Sequence, residues 1–288
     1  MPGHGAKESR GAREVTLSGG VIEYEDTGDG PVLVLLHGLM MDASLWDGPV
    51  TDLSADHRCV VPTLPLGAHR RAMDPGADLS LPGVAKLVAE FLDRLDLRDV
   101  TLVGNDTGGA LVQLLIGEDR PRVAGAVLVS CDAFDNFPPG LTGRTLVRSG
   151  RLSPWLFGLF MQHMRLRPVR RLPLAFGHLT RRGDAATARW MRPVLTRPEI
   201  RRDTVRVLRA AAADPDILLA AAERLPRFDR PALVVWATED RVMPLDHGRR
   251  LAALLPQAHL AEVGDSDTLI PLDRPERLAE LIRAFTRQ

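Results

Sequence analysis

Lysine is nearly absent from this chain: Lys7 and Lys86 are the only two, so almost all positive charge is carried by arginine. Cysteine is just as scarce. Cys59 and Cys131 both fall in apolar, strand-like runs, where a buried free thiol is the ordinary state, and two such residues make no disulfide framework. No His, Cys and Asp cluster shows metal-ligand spacing and no glycine-rich phosphate loop follows a strand, so neither metal nor cofactor is expected. No apolar run approaches the roughly 20 residues that span a bilayer, and residues 1–13 form a polar tail without an apolar leader segment. The expectation is a cytoplasmic protein that does not engage a membrane.

Net charge is also lacking, but the balance is uneven. From Arg144 to Arg209, sixteen arginines stand against three acids, Asp184, Glu199 and Asp203. Solvated helix faces account for most such runs; the functional alternative is a basic surface that attracts an anionic substrate or an acidic carrier protein. Nucleic acid is not expected, because these arginines lack interleaved exposed aromatics and the whole chain has no positive excess.

What is present is an alternation. Short β-branched or leucine-rich runs at 21–25, 31–36, 58–61, 100–103, 124–130, 231–237 and 260–263 are bounded by Gly, Pro or Asp and read as buried strands. Helical patterns lie between them, such as Val84, Leu87, Val88, Phe91 and Leu92 behind Ser80 as N-cap. Strands alternating with amphipathic helices make an α/β fold with a mostly parallel sheet covered on both faces. Between 134 and 227 the strand signal vanishes, which predicts a helical cap inserted between two core segments, 14–133 and 228–288. Trp155, Phe160, Met164 and Trp190 are the cap side chains expected to face a substrate pocket, although such apolar residues more commonly form a cap's own core.

The most specific local signal is the strand Val100–Val103 running through Gly104, Asn105, Asp106, Thr107 and Gly108 into the helical stretch Ala110–Ile116. Small residues on either side of Asp106 let the backbone fold tightly and present one side chain above the sheet. This resembles the nucleophile elbow of the α/β-hydrolase superfamily, with aspartate where esterases have serine, as in the haloalkane dehalogenase and epoxide hydrolase branch. The resemblance covers nearly all of the chain from Val15 onward.

The resemblance implies an α/β-hydrolase fold with an inserted helical cap and no cofactor. It implies an oxyanion loop at His37 and Gly38, with the backbone N–H groups of Leu39 and Thr107 as oxyanion donors. It implies a catalytic acid at Asp240, or at Asp132 in the alternative position, beside a catalytic Asp106. It also implies a histidine after the last strand, and there the chain departs: the frame from Val263 to Glu276 carries Asp267 and Thr268 where Gly and His belong. Threonine is no general base near neutral pH. His69, on the loop after the fourth strand, is the best surrogate base, whereas His37 braces the oxyanion loop and His247 and His259 face away. Two further departures are Thr107 and Leu39, where dehalogenases commonly bind halide with Trp and Asn. Epoxide hydrolases use cap tyrosines, and Tyr24 lies in an early strand instead.

Three readings follow from these residues. The leading one is a cofactor-independent enzyme using Asp106 as acid or base on a small, mainly apolar substrate, in a non-hydrolytic tailoring step of natural-product metabolism: elimination, rearrangement or cyclisation. The second is a hydrolase with Asp106 as nucleophile. The third is a catalytically inert relative that binds a ligand or a partner.

Overall fold

The computed structural model describes residues 12–118 and 121–287; most of the polar tail expected at 1–13 lies outside them. Eight strands form one sheet: β1 (Arg13–Leu17), β2 (Gly20–Thr27), β3 (Val32–Leu36), β4 (Arg58–Pro62), β5 (Val100–Asp106), β6 (Val123–Cys131), β7 (Ala232–Ala237) and β8 (Ala258–Val263). Their order is β1-β2-β4-β3-β5-β6-β7-β8, with the first two antiparallel and the rest parallel. β1 is an addition to the seven strands expected. Its five residues, REVTL, are largely exposed, and an edge strand carrying Arg and Glu has neither the apolar run of a central strand nor a long flat edge open to other chains.

The helices are α1 (Asp47–Leu53), α2 (Leu81–Arg94), α3 (Thr107–Ile116), α4 (Gly140–Ser149), α5 (Pro154–Met161), α6 (Arg167–Arg170), α7 (Asp184–Thr196), α8 (Pro198–Ala213), α9 (Ile217–Ala222), α10 (Leu245–Leu254), α11 (Ile270–Asp273) and α12 (Pro275–Thr286). Ser80 caps α2 by accepting from the Gly83 N–H at 3.1 Å. Among the described residues, everything between β6 and β7 is helix or loop.

Period-two alternation divides the core in two. Val34, Leu36, Leu102, Leu128 and Val234 pack on one face of the sheet with α2 and α3, and Leu33, Leu35, Val103, Val127 and Val235 pack on the other with α1 and α12. Each central strand is therefore apolar on both sides, which is why these runs are legible as strands without alternation. The chain order places β3 and β5 side by side although β4 lies between them in sequence, with Leu36 opposite Gly104. That reversal of direction opens a crevice beyond the carboxyl ends of the strands, the place where open α/β sheets bind ligands.

Candidate active site

Four strand ends converge at this crevice: Gly38 follows β3, Asp106 ends β5, Asp132 follows β6 and Asp240 follows β7. Asp106 sits at φ 56°, ψ −130°, a conformation that costs a non-glycine residue about 1–3 kcal/mol and needs its surroundings to hold it. The glycines provide that hold. A Cβ on Gly104 would lie 2.6 Å from the Gly109 nitrogen, and one on Gly108 would lie 2.6 Å from the Leu36 carbonyl carbon. Only glycine lets helix α3 leave the strand so sharply and pack against β3.

Asp106 is buried, and its Oδ1 accepts three hydrogen bonds: from the Thr107 N–H at 2.6 Å, the Thr107 hydroxyl at 2.9 Å and the Leu39 N–H at 3.3 Å. The two backbone donors expected of an oxyanion hole thus hold the aspartate's own carboxylate. Its Oδ2 receives no hydrogen bond among the described residues. Burial raises the Asp106 pKa, and the bonds from Thr107 and Leu39 oppose that rise.

The second carboxylate is joined to the first. The Thr107 hydroxyl lies 3.0 Å from Asp132 Oδ2 as well as 2.9 Å from Asp106 Oδ1. A hydroxyl has one hydrogen to donate, so both bonds form only when one of the acids carries a proton and donates it to the threonine oxygen. Asp132 is the better placed to carry it: it is fully buried, its Oδ1 has no hydrogen-bond partner among the described residues, and burial together with the charge of Asp106 pushes its pKa well up. Gln113 of α3 fixes the strand end by donating to the Asp132 carbonyl at 2.7 Å.

Thr268 is fully buried and donates its hydroxyl to Asp240 Oδ1 at 2.8 Å. The same oxygen accepts from the N–H groups of Val242 and Met243 at 2.9 and 2.8 Å. Oδ2 of Asp240 is buried with no hydrogen bond of good geometry among the described residues, and burial pushes this acid up to about 6, opposed by Met243, Val242, Thr268 and Ser130. Asp267, beside Thr268, meets Arg181 at 3.3 Å, and Asp273 accepts from the Thr180 hydroxyl at 2.7 Å. The loop after β8 is thereby clasped to the helical insertion.

Asn105 was not singled out by sequence. Its Nδ2 contacts the carbonyls of Val129, Ser130 and Thr268 at 2.9, 3.1 and 2.8 Å, tying β5 and β6 to the loop that carries Thr268. A polar residue at a fully buried strand position was the available signal.

His37 and His69 are committed away from the cavity. His37 Nδ1–H faces the Gly38 carbonyl at 2.9 Å while Nε2 accepts from the Leu64 N–H at 2.8 Å; full burial lowers its pKa to about 4, so it is a neutral brace for the loop. His69, the expected surrogate base, pairs through Nε2 with Asp203 of α8 at 3.3 Å and accepts from Gly67 at Nδ1. It links the core to the insertion and does not line the cavity. His163, which was not anticipated, does line it, stacked edge-on against Phe160 with ring centroids 5.1 Å apart.

The cavity above Asp106 measures about 340 Å³ and is bounded by Leu39, Thr107, Leu146, Val207 and Val242, among others. Phe160 and Met164 are in its wall. Trp155 and Trp190 do not. Trp155 projects into solvent from α5, and Trp190 is buried with its indole N–H donating to Asp42 at 3.0 Å, because a ring with that donor settles where a carboxylate can satisfy it. Met161, Phe176 and Met191 take their place in the wall. No arginine lines the cavity, so the anionic or carrier-bound substrate suggested by the basic segment finds no cation there. Tyr24 is also remote, packed edge-to-face on Phe91 at 5.4 Å.

The chain is similar to haloalkane dehalogenase 2 of Mycobacterium tuberculosis strain H37Rv, 26% identical over 268 residues that cover 92% of this chain and 91% of that protein. It is 27% identical over 285 residues to the cis-3-alkyl-4-alkyloxetan-2-one decarboxylase of Xanthomonas campestris pv. campestris, covering 92% and 91%. Among solved structures, a thermophilic esterase from Thermogutta terrifontis superposes with a TM-score of 0.75 at 23% identity, over 96% of this chain and 98% of that one. With residues 33–281 matching it, the chain belongs to the alpha/beta hydrolase family.

Proposed function

We propose that this protein is a cofactor-independent enzyme in which Asp106 moves a proton on a small, mainly apolar organic molecule, carrying it through an elimination, rearrangement or ring-forming step that needs no activated water. The observation that carries this reading is the hydroxyl of Thr268 on Asp240. At the position where the family resemblance implies an imidazole, the acid is met by a group that cannot activate water, and the core-loop histidines His37 and His69 are committed to other partners.

Three features support it. The cavity walls are apolar, which suits such a substrate and keeps the Asp106 pKa raised toward the range useful for proton transfer. The Thr107 hydroxyl links Asp106 to Asp132, an acid whose pKa burial and the charge of Asp106 push well up. A relative of similar length bears the name of a decarboxylase acting on an oxetanone with two alkyl substituents, a non-hydrolytic reaction by name on a substrate with apolar side groups.

In this mechanism the N–H groups of Leu39 and Thr107 fix Oδ1, which leaves Oδ2 to take a proton from the substrate and return it at a second atom. Asp106→Asn is expected to abolish turnover, and an active Asn variant would overturn the assignment. The second reading is a hydrolase, favoured by the dehalogenase relative and by the same anchored Oδ1, because it leaves Oδ2 free to attack carbon. Its aspartyl ester then needs Asp240 or Asp132 to activate water. Turnover in ¹⁸O-labelled water separates the two: label in product or in the Asp106 carboxylate marks hydrolysis, and none after many cycles marks the non-hydrolytic route.

A further inference from the structure

The outer surface of the helical insertion is unusually greasy. On α5, Trp155, Leu156, Leu159 and Phe160 form one exposed stripe, at the i, i+1, i+4 and i+5 positions of the helix. Leu166, Leu172 and Leu174, from the turns that follow, are exposed as well, and so is Leu141 on α4. Phe160, Leu172 and Leu174 belong at once to this surface and to the wall of the cavity above Asp106. The patch is therefore the rim of the cavity and is continuous with its apolar interior.

Positive charge surrounds the same side chains. Arg165 and Arg167 flank Leu166, Arg171 precedes Leu172, and Arg144 lies one helical turn after Leu141. Arg144, Arg148, Arg151, Arg165 and Arg171 are exposed and make no ion pair among the described residues. The three acids of the segment cannot neutralise them. Asp184 is held by Arg167 and Arg170, Asp203 is buried against His69 and Arg206, and Glu199 is a single charge with no ion pair among the described residues.

From this combination we infer that the insertion docks the protein onto the surface of an anionic lipid bilayer, with the α5 stripe in the interfacial region and the arginines on the headgroups, so that the cavity opens toward the membrane. Exposed Trp and Leu beside arginine is the pattern of an interfacial helix, and charge complementarity selects the anionic surface. A second copy of the chain is a poorer occupant, because an isologous contact would bring the same unpaired arginines together. Among the described residues no helix is long and apolar enough to cross a membrane; docking from the surface uses side chains that tertiary folding leaves outside. The inference does not depend on the reaction assigned to Asp106.

The chain carries its own reporter. Of its four tryptophans, Trp46, Trp190 and Trp236 are 0% exposed and Trp155 is 68% exposed, so a change in tryptophan emission on binding reports Trp155. The full-length protein is titrated with vesicles of phosphatidylcholine alone and of phosphatidylcholine with phosphatidylglycerol, and binding is read by emission and by co-sedimentation. The expected result is a blue shift and sedimentation with the phosphatidylglycerol vesicles, reversed by high salt. The shift should disappear in Trp155→Phe while sedimentation persists. The surface variants Leu156→Ser with Leu159→Ser, and Arg165→Glu with Arg171→Glu, should each weaken partitioning by about tenfold or more with unchanged circular dichroism. Equal binding to both vesicles, no binding to either, or a lipid-free dimer that shields Trp155 would each overturn the inference.

Discussion

The hydroxyl of Thr107 stands 3.0 Å from Asp132 Oδ2 while the backbone N–H of the same residue grips Asp106 Oδ1 at 2.6 Å. One residue therefore serves both acids by two different groups, and the two can be separated by mutation. Thr107→Val keeps the N–H and removes the bridge; Thr107→Ser keeps both. Valine is expected to slow turnover by about 10²-fold, the low end for loss of acid–base help, and to shift the pH profile, with serine restoring both. In infrared difference spectra a protonated-carboxyl band should vanish in Asp132→Asn. An unchanged band would show that Asp132 does not hold the proton.

Gly38 offers a steric test of the oxyanion loop. A Cβ there would lie 2.6 Å from the Asp106 Cβ, so Gly38→Ala must displace the aspartate or the loop. The expected cost is about 1–3 kcal/mol of stability, the usual range for overpacking, with a larger fractional loss in kcat than in KM. A variant with wild-type kcat would mean that the position of Asp106 is not critical to the chemistry.

Asp240 gives a pH signature in stability. Its folded pKa is about 6 against an ordinary 3.8, so the folded state holds the proton more tightly than the unfolded chain. The stabilisation is complete below the unfolded value and is lost as pH rises through the folded one. Relative to Asp240→Asn, the wild type should lose at most about 3 kcal/mol across that window, since one pKa unit is worth about 1.4 kcal/mol. Urea midpoints of both proteins, measured at intervals across it, check this; a constant difference would mean that the carboxyl titrates normally.

Thr268→His restores an imidazole at the place where the family resemblance implies one. Placed against Asp240, a histidine is expected to confer hydrolysis, seen as solvent ¹⁸O entering product or the Asp106 carboxylate where the wild type takes up none. If the wild type incorporates label at the same rate, hydrolysis is already its chemistry.

The tie between His69 and Asp203 joins core to insertion across 134 residues of sequence. Asp203 is pulled to a low pKa, since burial is outweighed by His69, the Met73 N–H and Arg206. His69→Ala is expected to leave this buried carboxylate underpaired, at a cost of about 3 kcal/mol, and to lower the thermal midpoint. A loss of activity with no loss of stability would instead return His69 to the chemistry.

Some of this was legible in the residues alone because the controlling physics is local. The elbow needs small neighbours within two or three positions of Asp106, and the strands are buried on both faces, so each shows as an apolar run. The edge strand β1 escaped notice because half-exposed pairing leaves no such run. Trp155 and Trp190 look alike in sequence, yet one is solvent-exposed and the other satisfied by Asp42 across 148 residues.

Sequence by itself determined that a carboxylate stands at the turn after β5, that two more follow neighbouring strands, and that threonine occupies the place expected for histidine. Tertiary structure decided which groups these acids meet: Thr107 between Asp106 and Asp132, Thr268 on Asp240, Asp203 on His69. The reason is range. Backbone sterics act between adjacent residues, whereas hydrogen bonds between side chains on different strands depend on strand order and register, which only the assembled sheet defines.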